Sequence, residues 1–272
     1  MKLFISHDTR YDYAAPTSYS IQALKLTPRR DSGQITQHWR IFAPGRRVEQ
    51  VDAYGNTTHL LTLEVPHREI CINVAGMVET SESFDGSLPN DGALSPLVYL
   101  TPTPLTLPDA TIEQLAKRVF TAATATRTTL NLLMETIYDA VRYRSGTTLV
   151  TDTAAEALAR GVGVCQDQAQ VAIATCRAAG VPARYVSGYV LTGDADHAAS
   201  HAWLDVWLDS EQRWVSCDVT HRAFAGPRLC RLAVGRDYLD AAPIRGVRRG
   251  GGIEQLEVNV IVSESAIQDK QQ

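Results

Sequence analysis

Residues 161–182 read GVGVCQDQAQVAIATCRAAGVP, a stretch that predicts a buried helix beginning near Cys165 and stopping before Gly180-Val181-Pro182. Apolar side chains recur on one face of that helix, and Cys165 lies on the same inward stripe. These side chains are Ala169, Ala172, Ile173 and Cys176. At the first turn, the Cys165 sulfur is expected at the positive end of the helix dipole, which favours the thiolate.

Helices before this stretch and strands after it predict an α+β fold. Ile112–Val119 and Leu132–Ala140 show helical periodicity, and a capping box at Thr153 and Glu156 opens a short helix that ends at Gly161. Three strands are predicted after the central helix, over residues 183–191, 201–208 and 213–220. Helices followed by strands in this order are typical of α+β proteins.

The N-terminal part has short β-rich runs between turn formers, which predict an antiparallel β domain from residue 3 to about residue 79. Five prolines in the stretch from Ser83 to Pro108 indicate a connection between two domains. We place the domain boundary near residue 105, which gives an N-terminal domain of residues 1–105 and a second domain of residues 106–272. At the end of the chain, Gln255–Val262 alternates like a closing strand, and Ile267–Gln272 is expected to fray.

Composition and charge narrow the class of protein. In 272 residues, hydrophobic side chains make up 44% and charged ones 21%, as in folded globular proteins. A net charge of −4 and a pI near 6.0 give no broad attraction to nucleic acid or to anionic membranes. The five cysteines are widely spaced, the N-terminus lacks a secretory h-region, and no run suits a membrane span. We therefore expect reduced thiols and a cytoplasmic protein.

The last two predicted strands form a hairpin, which tests whether a histidine and an aspartate meet. Pairing Leu208 with Arg213 across the turn fixes the register of the whole hairpin. In that register Asp218 faces Trp203, and His201 is a diagonal neighbour on the same face of the sheet. A turn one residue longer or shorter would put the histidine and the aspartate on opposite faces.

A cysteine, a histidine and an aspartate that converge can break an amide bond. We predict that Cys165 is the nucleophile, His201 the base and Asp218 the residue that orients the base. The backbone N–H of the cysteine would meet the oxyanion, and Gln166 and nearby loop amides are candidates for the second donor. Trp203 is a candidate for a wall of the substrate groove. This chemistry requires no cofactor and no metal.

Seven short stretches, spread over nearly the whole chain, share the pattern of one known family. They are His7–Tyr13, Leu26–Arg29, Tyr54–Asn56, Gly161–Asp167, Gly180–Tyr189, Ser200–Trp203 and Gly235–Tyr238. These stretches resemble the transglutaminase-like superfamily, specifically its bacterial members described as candidate cysteine proteases with an N-terminal β domain.

This resemblance implies a β-sandwich N-terminal domain ahead of a papain-like catalytic core, with the three residues named above at the family's triad positions. It implies a cysteine protease, amidase or acyl transferase that forms a thioester with a peptide or protein-conjugate substrate and passes the acyl group to water or an amine. The chain departs from the family pattern at Val219, where a proline is usual, and at Gln168 and Gln170, where an aromatic residue and a histidine are usual. We expect a looser turn after Asp218 and a changed wall beside the nucleophile.

Two alternatives to an enzyme of this kind stay open. One is a catalytically silent module that keeps the fold to bind peptides, which an intact triad argues against. The other is a metal-dependent hydrolase, because His197 and His201 are four residues apart, as are Cys217 and His221. Neither pair lies in a recognised zinc motif.

The remaining features favour structural roles. Cysteines outside the triad are interpreted as small core residues. The stretch Arg228–Arg249 is interpreted as a solvated basic face, and Gly250-Gly251-Gly252 as a turn. Asp205 is interpreted either as a support for the site or as a solvated residue.

Overall fold

The computed structural model describes residues 1–90, 92, 94–122, 124–192 and 200–264. This part of the chain is an α+β protein, as predicted, with its strands in three sheets. The strands are β1 (Lys2–Leu24), β2 (Gln34–Phe42), β3 (Arg46–Val51), β4 (Thr57–Leu63), β5 (His67–Thr80), β6 (Ser87–Pro89), β7 (Arg142–Tyr143), β8 (Val162–Gly163), β9 (Ala183–Val190), β10 (Ser200–Leu208), β11 (Arg213–Asp218), β12 (Ala223–Phe224), β13 (Leu229–Gly235), β14 (Ile244–Gly250) and β15 (Glu254–Ser263). The helices are α1 (Ala110–Val119), α2 (Arg127–Ala140), α3 (Ala154–Arg160), α4 (Cys165–Ala178) and α5 (Tyr238–Ala241). None of the helices in the described ranges is long and apolar enough to cross a membrane.

The first sheet is built around β1, whose 23 residues largely alternate between buried and more exposed side chains. Its first half pairs with β5 and β15, and its second half pairs with β4 and β14. The register shifts between Asp12 and Thr17, where Pro16 cannot donate a ladder hydrogen bond. Leu3 and Leu24, from the two halves, lie in one apolar core. The sheet is therefore curled over itself, and "sandwich" describes it only approximately.

The second sheet runs β12-β11-β10-β9-β13, with β6 added to β11, and α4 packs on it. Leu204 and Val206 of β10 share a core with the buried face of α4. Tyr189 and Cys230 belong instead to the core of the first sheet. Because both faces of this sheet are covered, β9 and β13 have no exposed residue, and residues 167–177 of α4 are all buried.

The sequence predictions for this core agree with the structure. The hairpin register is confirmed, with Leu208 opposite Arg213. α3 is capped by Thr153 and ends at Gly161, whose φ of 71° lies in the left-handed region that glycine adopts readily. α4 begins at Cys165, and the closing strand is present as β15.

The stretch Arg228–Arg249 is only partly a solvated basic face. Its interpretation as a solvated face is wrong for Arg231, which is 3% exposed because β13 belongs to the second sheet, both faces of which are covered. β13, α5 and β14 all lie in this stretch. The turn at residues 250–252 is confirmed, since all three glycines have positive φ where β14 gives way to β15.

The two sheets do not follow the order of the chain. β14 and β15 return to the first sheet, and β6 joins the second. The domain boundary near residue 105 stays a prediction. The chain passes between the two sheets more than once, so no single residue separates them. The expected fraying of Ile267–Gln272 concerns residues outside the described ranges.

Arg231 joins the two sheets through a buried set of hydrogen bonds. Its guanidinium donates to Asp31 at 2.7 Å and to Asp205 at 2.7 and 2.9 Å. The same group donates to the hydroxyl of Ser216 at 2.8 Å, and its backbone N–H donates to Gln34 at 2.9 Å. A buried charge is tolerated only when it is paired in this way, so the contact fixes how the sheets meet.

Candidate active site

Cys165 is the first residue of α4, and its side chain is partly buried. The turn that leads into it is fixed by Asp167, whose Oδ2 accepts a hydrogen bond from the Val164 N–H at 2.7 Å. Gly163 is required beside this carboxylate, because a Cβ there would lie 2.7 Å from the Cβ of Asp167. The first N–H groups of a helix have no acceptor within the helix, so they can bind an anion at this end.

His201 and Asp218 meet as the hairpin register predicts. His201 Nε2 donates to Asp218 Oδ2 at 2.8 Å, and both side chains are buried. Cys165 lies beside the same imidazole, close enough that its side chain raises the pKa of His201. Because Nε2 is taken by the carboxylate, Nδ1 is the nitrogen that serves the thiol. The structure therefore brings together all three residues predicted for the triad.

The protonation of this group follows from its contacts. Burial would lower the pKa of His201, but hydrogen bonds with Asp218 and Cys165, and their negative charges, raise it to about 10. Burial would also raise the pKa of Asp218, but hydrogen bonds from His201 and from His221 hold it well below its ordinary value. The site therefore holds a charged imidazolium against a charged carboxylate at neutral pH.

His221 is a second histidine on the same carboxylate, and the sequence reasoning missed this contact. Its Nδ1 donates to Asp218 Oδ2 at 2.7 Å, its backbone N–H donates to Asp218 Oδ1 at 3.2 Å, and its side chain is 51% exposed. The turn that presents it closes with a hydrogen bond from Arg222 to Val219, and Arg222 has a φ of 51°. An aspartate commonly bonds the backbone a few residues further on, which was the available signal.

Exposed side chains flank Cys165 on the side of α3. Tyr143 pairs with Gly163 in the short parallel bridge between β7 and β8, and its ring is 46% exposed. Burial and then the negative charge of Cys165 raise the pKa of Tyr143, which places the phenol near the thiol. The side-chain amide of Gln166 donates to the Val150 carbonyl at 3.3 Å. Tyr143 could not be assigned from the sequence, since a two-residue bridge leaves no periodic pattern.

Trp203 lies elsewhere than the groove wall suggested for it. Its side chain is fully buried in a cluster with Val186 and Val234, and its ring stacks on His201 with centroids 5.9 Å apart. Gly188 makes room for it, because a Cβ there would lie 2.5 Å from the indole. The tryptophan therefore packs beneath the imidazole, and it cannot contact a substrate from this position.

Gln168 and Gln170 also differ from expectation, because both are buried and do not form a wall beside the nucleophile. Gln168 donates to the Val141 carbonyl at 2.8 Å and accepts from the Thr220 hydroxyl at 2.7 Å. Gln170 donates to the carbonyl of Asp152 at 3.4 Å. Gln168 thereby ties α4 to the segment that follows Asp218, where the usual proline is missing.

A cleft of about 610 Å³ opens beside the carboxylate and the exposed histidine. Its wall is mostly apolar and includes Val190, Leu191, Phe224 and Leu229, with Asp218 and His221 at one side. A second cavity, of about 660 Å³, lies on the first sheet, and none of its lining residues belongs to the candidate site. The first cleft is therefore the better candidate for holding a substrate.

Of the two pairs considered for zinc, the one that lies within the described residues, Cys217 and His221, does not assemble. The side chain of Cys217 is buried in the core beneath α4, whereas that of His221 is exposed. His197, the partner suggested for His201, lies outside the described residues. Three other cysteines, Cys71, Cys176 and Cys230, are free thiols, and the last two are buried as expected.

Two known families match this chain, one over its N-terminal part and one over its C-terminal part. Residues 113–219 match the family described as the transglutaminase-like superfamily, and residues 3–79 match the bacterial transglutaminase-like N-terminal region. The chain is 31% identical over 270 residues to an uncharacterised protein of Mycobacterium tuberculosis, covering 89% of this chain and 86% of that protein. It is 29% identical over 295 residues to an uncharacterised protein of Mycobacterium leprae, covering 97% and 99% of the two chains.

A solved structure shares the fold over almost the full length. It is that of a candidate cysteine protease from Cytophaga hutchinsonii, with a TM-score of 0.74 and 21% identity. The similarity covers 98% of this chain and 92% of the other. At this identity the likeness concerns the arrangement of helices and strands.

Proposed function

Because the chain belongs to the transglutaminase-like superfamily, we propose that it is a thiol-dependent enzyme that breaks amide bonds. Cys165 would be the nucleophile, His201 the acid and base, and Asp218 the residue that orients the imidazole. One observation carries the proposal: a single imidazole bonds the Asp218 carboxylate through Nε2 and lies beside Cys165, whose side chain raises the pKa of that imidazole.

The proposed reaction has two steps. The thiolate of Cys165 attacks the amide carbon, the carbonyl electrons move to oxygen, and the collapse of this intermediate expels the amine, which takes a proton from His201 Nδ1. Water or a primary amine then attacks the thioester and gives its proton to Nδ1, and the thiolate leaves. The Cys165 N–H at the helix end would stabilise the oxyanion, and Gln166 is the proposed second donor.

The surroundings support a peptide or protein conjugate as the substrate. Apolar side chains lie on both sides of the triad, with the cleft lined by Phe224 on one side and exposed Tyr143, Leu149 and Val150 in the segment next to α3. Such a surface suits an extended chain with apolar side chains, which remote binding holds against the nucleophile.

The first test is whether Cys165 forms a thioester. The protein is incubated with a peptide library, and the acyl-enzyme is identified by its mass. We expect an adduct on wild type and none on Cys165→Ala. Cys71→Ala is the matched control, because Cys71 is the other partly exposed thiol and should leave the adduct unchanged. An adduct on Cys165→Ala would remove this thiol from the mechanism.

The silent peptide-binding module is the second candidate, and thiol reactivity separates it from the enzyme. A thiol paired with an imidazolium reacts with iodoacetamide at mildly acidic pH, whereas an ordinary thiol is then protonated. We expect Cys165 to be alkylated faster than Cys71 under these conditions. Equal rates at the two cysteines would favour the silent module.

We also propose that the enzyme works in the cytoplasm. Its five cysteines are free thiols, and three of them are buried in the cores, as suits a reducing compartment. Fractionation of cells that express the chain tests this location, and recovery outside the cytoplasm would contradict it.

A further inference from the structure

Three metal-binding side chains converge at the carboxylate end of the triad. The ligand atoms of His201, Asp218 and His221 all lie within 4.8 Å of one another. Both histidine nitrogens already contact the same Asp218 oxygen, at 2.8 and 2.7 Å, and the two rings meet edge to face with centroids 5.1 Å apart. Two imidazoles and a carboxylate are a ligand set that zinc accepts, and a catalytic or inhibitory ion needs a fourth position for water.

The cluster has the room and the access that an ion needs. Zinc bonds nitrogen and oxygen at about 2.0–2.2 Å in a tetrahedron, which requires ligand atoms roughly 3.4 Å apart. The observed nitrogen-to-oxygen separations of 2.8 and 2.7 Å would have to widen by about 0.6–0.7 Å. His221 can supply this movement because its side chain is half exposed, and it lines the 610 Å³ cleft together with Asp218. The ion would enter through that cleft.

We propose that His201, Asp218 and His221 form an inhibitory zinc site that shuts off the triad reversibly. This inference rests on the proposed function, since it assigns a regulatory ligand to the same imidazole. Zinc on Nε2 of His201 leaves the ring proton on Nδ1, which faces Cys165. Loss of that proton would now require an imidazolate, so Nδ1 can no longer give it to the leaving amine and then take one from the attacking water.

The binding step is balanced without any further reactant. In the resting site His201 Nε2 donates its proton to Asp218 Oδ2 at 2.8 Å. Zinc replaces the Nε2 proton, which leaves to the solvent. The ring proton of His221 moves from Nδ1 to Nε2, which frees Nδ1 to bind the ion, and Asp218 remains a carboxylate. Removing the ion with a chelator restores the original hydrogen bonds.

Calorimetric titration of the full chain with zinc chloride is the direct test. We expect one zinc per chain in wild type and also in Cys165→Ala, because the thiol is not among the ligands. His221→Gln keeps an N–H donor for Asp218 but is a poor zinc ligand, and we expect binding at least about tenfold weaker. His38→Gln is the matched control, since His38 is an exposed histidine on β2 and should have no effect.

Two results of this titration would overturn the site. Loss of zinc binding in Cys165→Ala would mean that the ion sits on the thiol. Binding to His221→Gln as tight as to wild type would mean that this histidine is not a ligand. Thermal melts of each variant without zinc check that the fold is intact, and His221→Ala provides a second substitution with the same expectation.

Formation of the acyl-enzyme on Cys165 from the peptide library tests the inhibition, because expulsion of the amine draws a proton from His201 Nδ1. We expect zinc to slow the reaction at least about tenfold in wild type and to leave its rate in His221→Gln unchanged. Magnesium should have no effect, because it prefers oxygen ligands. Equal slowing by zinc in both proteins would contradict the proposal. Binding of one zinc per chain, with no acyl-enzyme formed, would refute the proposed enzyme activity and leave the zinc site standing. Formation of an acyl-enzyme without zinc binding would refute the zinc site alone.

Discussion

Replacing Asp218 by asparagine preserves the shape of the side chain and removes the charge that His201 contacts. Burial alone would lower the pKa of His201, but hydrogen bonds with Asp218 and Cys165 raise it from 6.5 to about 10. A hydrogen bond to a charged group contributes about 1.5–3 kcal/mol, and one pKa unit corresponds to about 1.4 kcal/mol. We therefore expect Asp218→Asn to lower the pKa of His201 by roughly 1–2 units.

An NMR titration of the histidine side chains measures this change directly. The His201 signal is assigned by its absence in His201→Asn. His221→Gln keeps the carboxylate and should leave the high titration midpoint in place, whereas Cys165→Ala should lower it, because the thiol is the other contact of the imidazole. A midpoint that stays near 10 in Asp218→Asn would refute the account of this site.

The same substitution should change how stability depends on pH. A histidine whose pKa is raised on folding stabilises the fold fully below its unfolded value of 6.5, and this stabilisation is lost as the pH rises through about 10. Wild type should therefore lose stability across this alkaline range, and Asp218→Asn should lose less. Urea unfolding at several pH values gives both curves, and parallel curves would contradict the expectation.

Three further changes test the packing around the site. Asp205→Asn removes the negative partner of two buried guanidinium groups and should lower the free energy of unfolding in urea by about 3–5 kcal/mol, so a loss near zero would contradict the network. Burial lowers the pKa of His7 from 6.5 to about 4, so thermal stability should fall as the pH drops between these values, and His7→Gln should remove that dependence. Gly188→Ala places a methyl group 2.1 Å from the Cys230 carbonyl oxygen and should cost about 1–3 kcal/mol in the same urea assay; an unchanged midpoint would show that the backbones can separate.

The features that the sequence predicts best depend on local rules. Strand parity and a four-residue turn are enough to place His201 and Asp218 on one face, because side chains alternate strictly along a strand. A capping box and a left-handed glycine define α3 in the same way, and a glycine-flanked start defines the end of α4 that carries Cys165. Each of these signals lies within a few residues of the feature it predicts.

The features that the sequence does not predict depend on distant contacts. Nothing local distinguishes Arg231, buried between two carboxylates, from the exposed arginines around it, since the carboxylates come from β10 and from the loop before β2. The contact between His221 and Asp218 is local, but the cleft that exposes the histidine is formed by several separate segments. The prediction that Trp203 lines a groove is wrong. The alternation of side chains along β10 shows which face of the sheet carries Trp203, but it does not show that other residues cover that face.

The first sheet contributes to the candidate active site through a chain of direct contacts. On one face of β10, the ring of Trp203 stacks on His201, and the guanidinium of Arg231 lies 6.0 Å from the same indole. That guanidinium bonds Asp205 on β10 and Asp31 from the N-terminal part of the chain. Because a buried ion pair that loses one partner is strongly destabilised, the N-terminal carboxylate holds the arginine in place, and the arginine in turn holds the strand that carries the imidazole. This coupling gives a physical reason for the family resemblance to extend through both halves of the chain, since the hairpin that carries His201 and Asp218 is supported on one side by α4 and on the other by the first sheet.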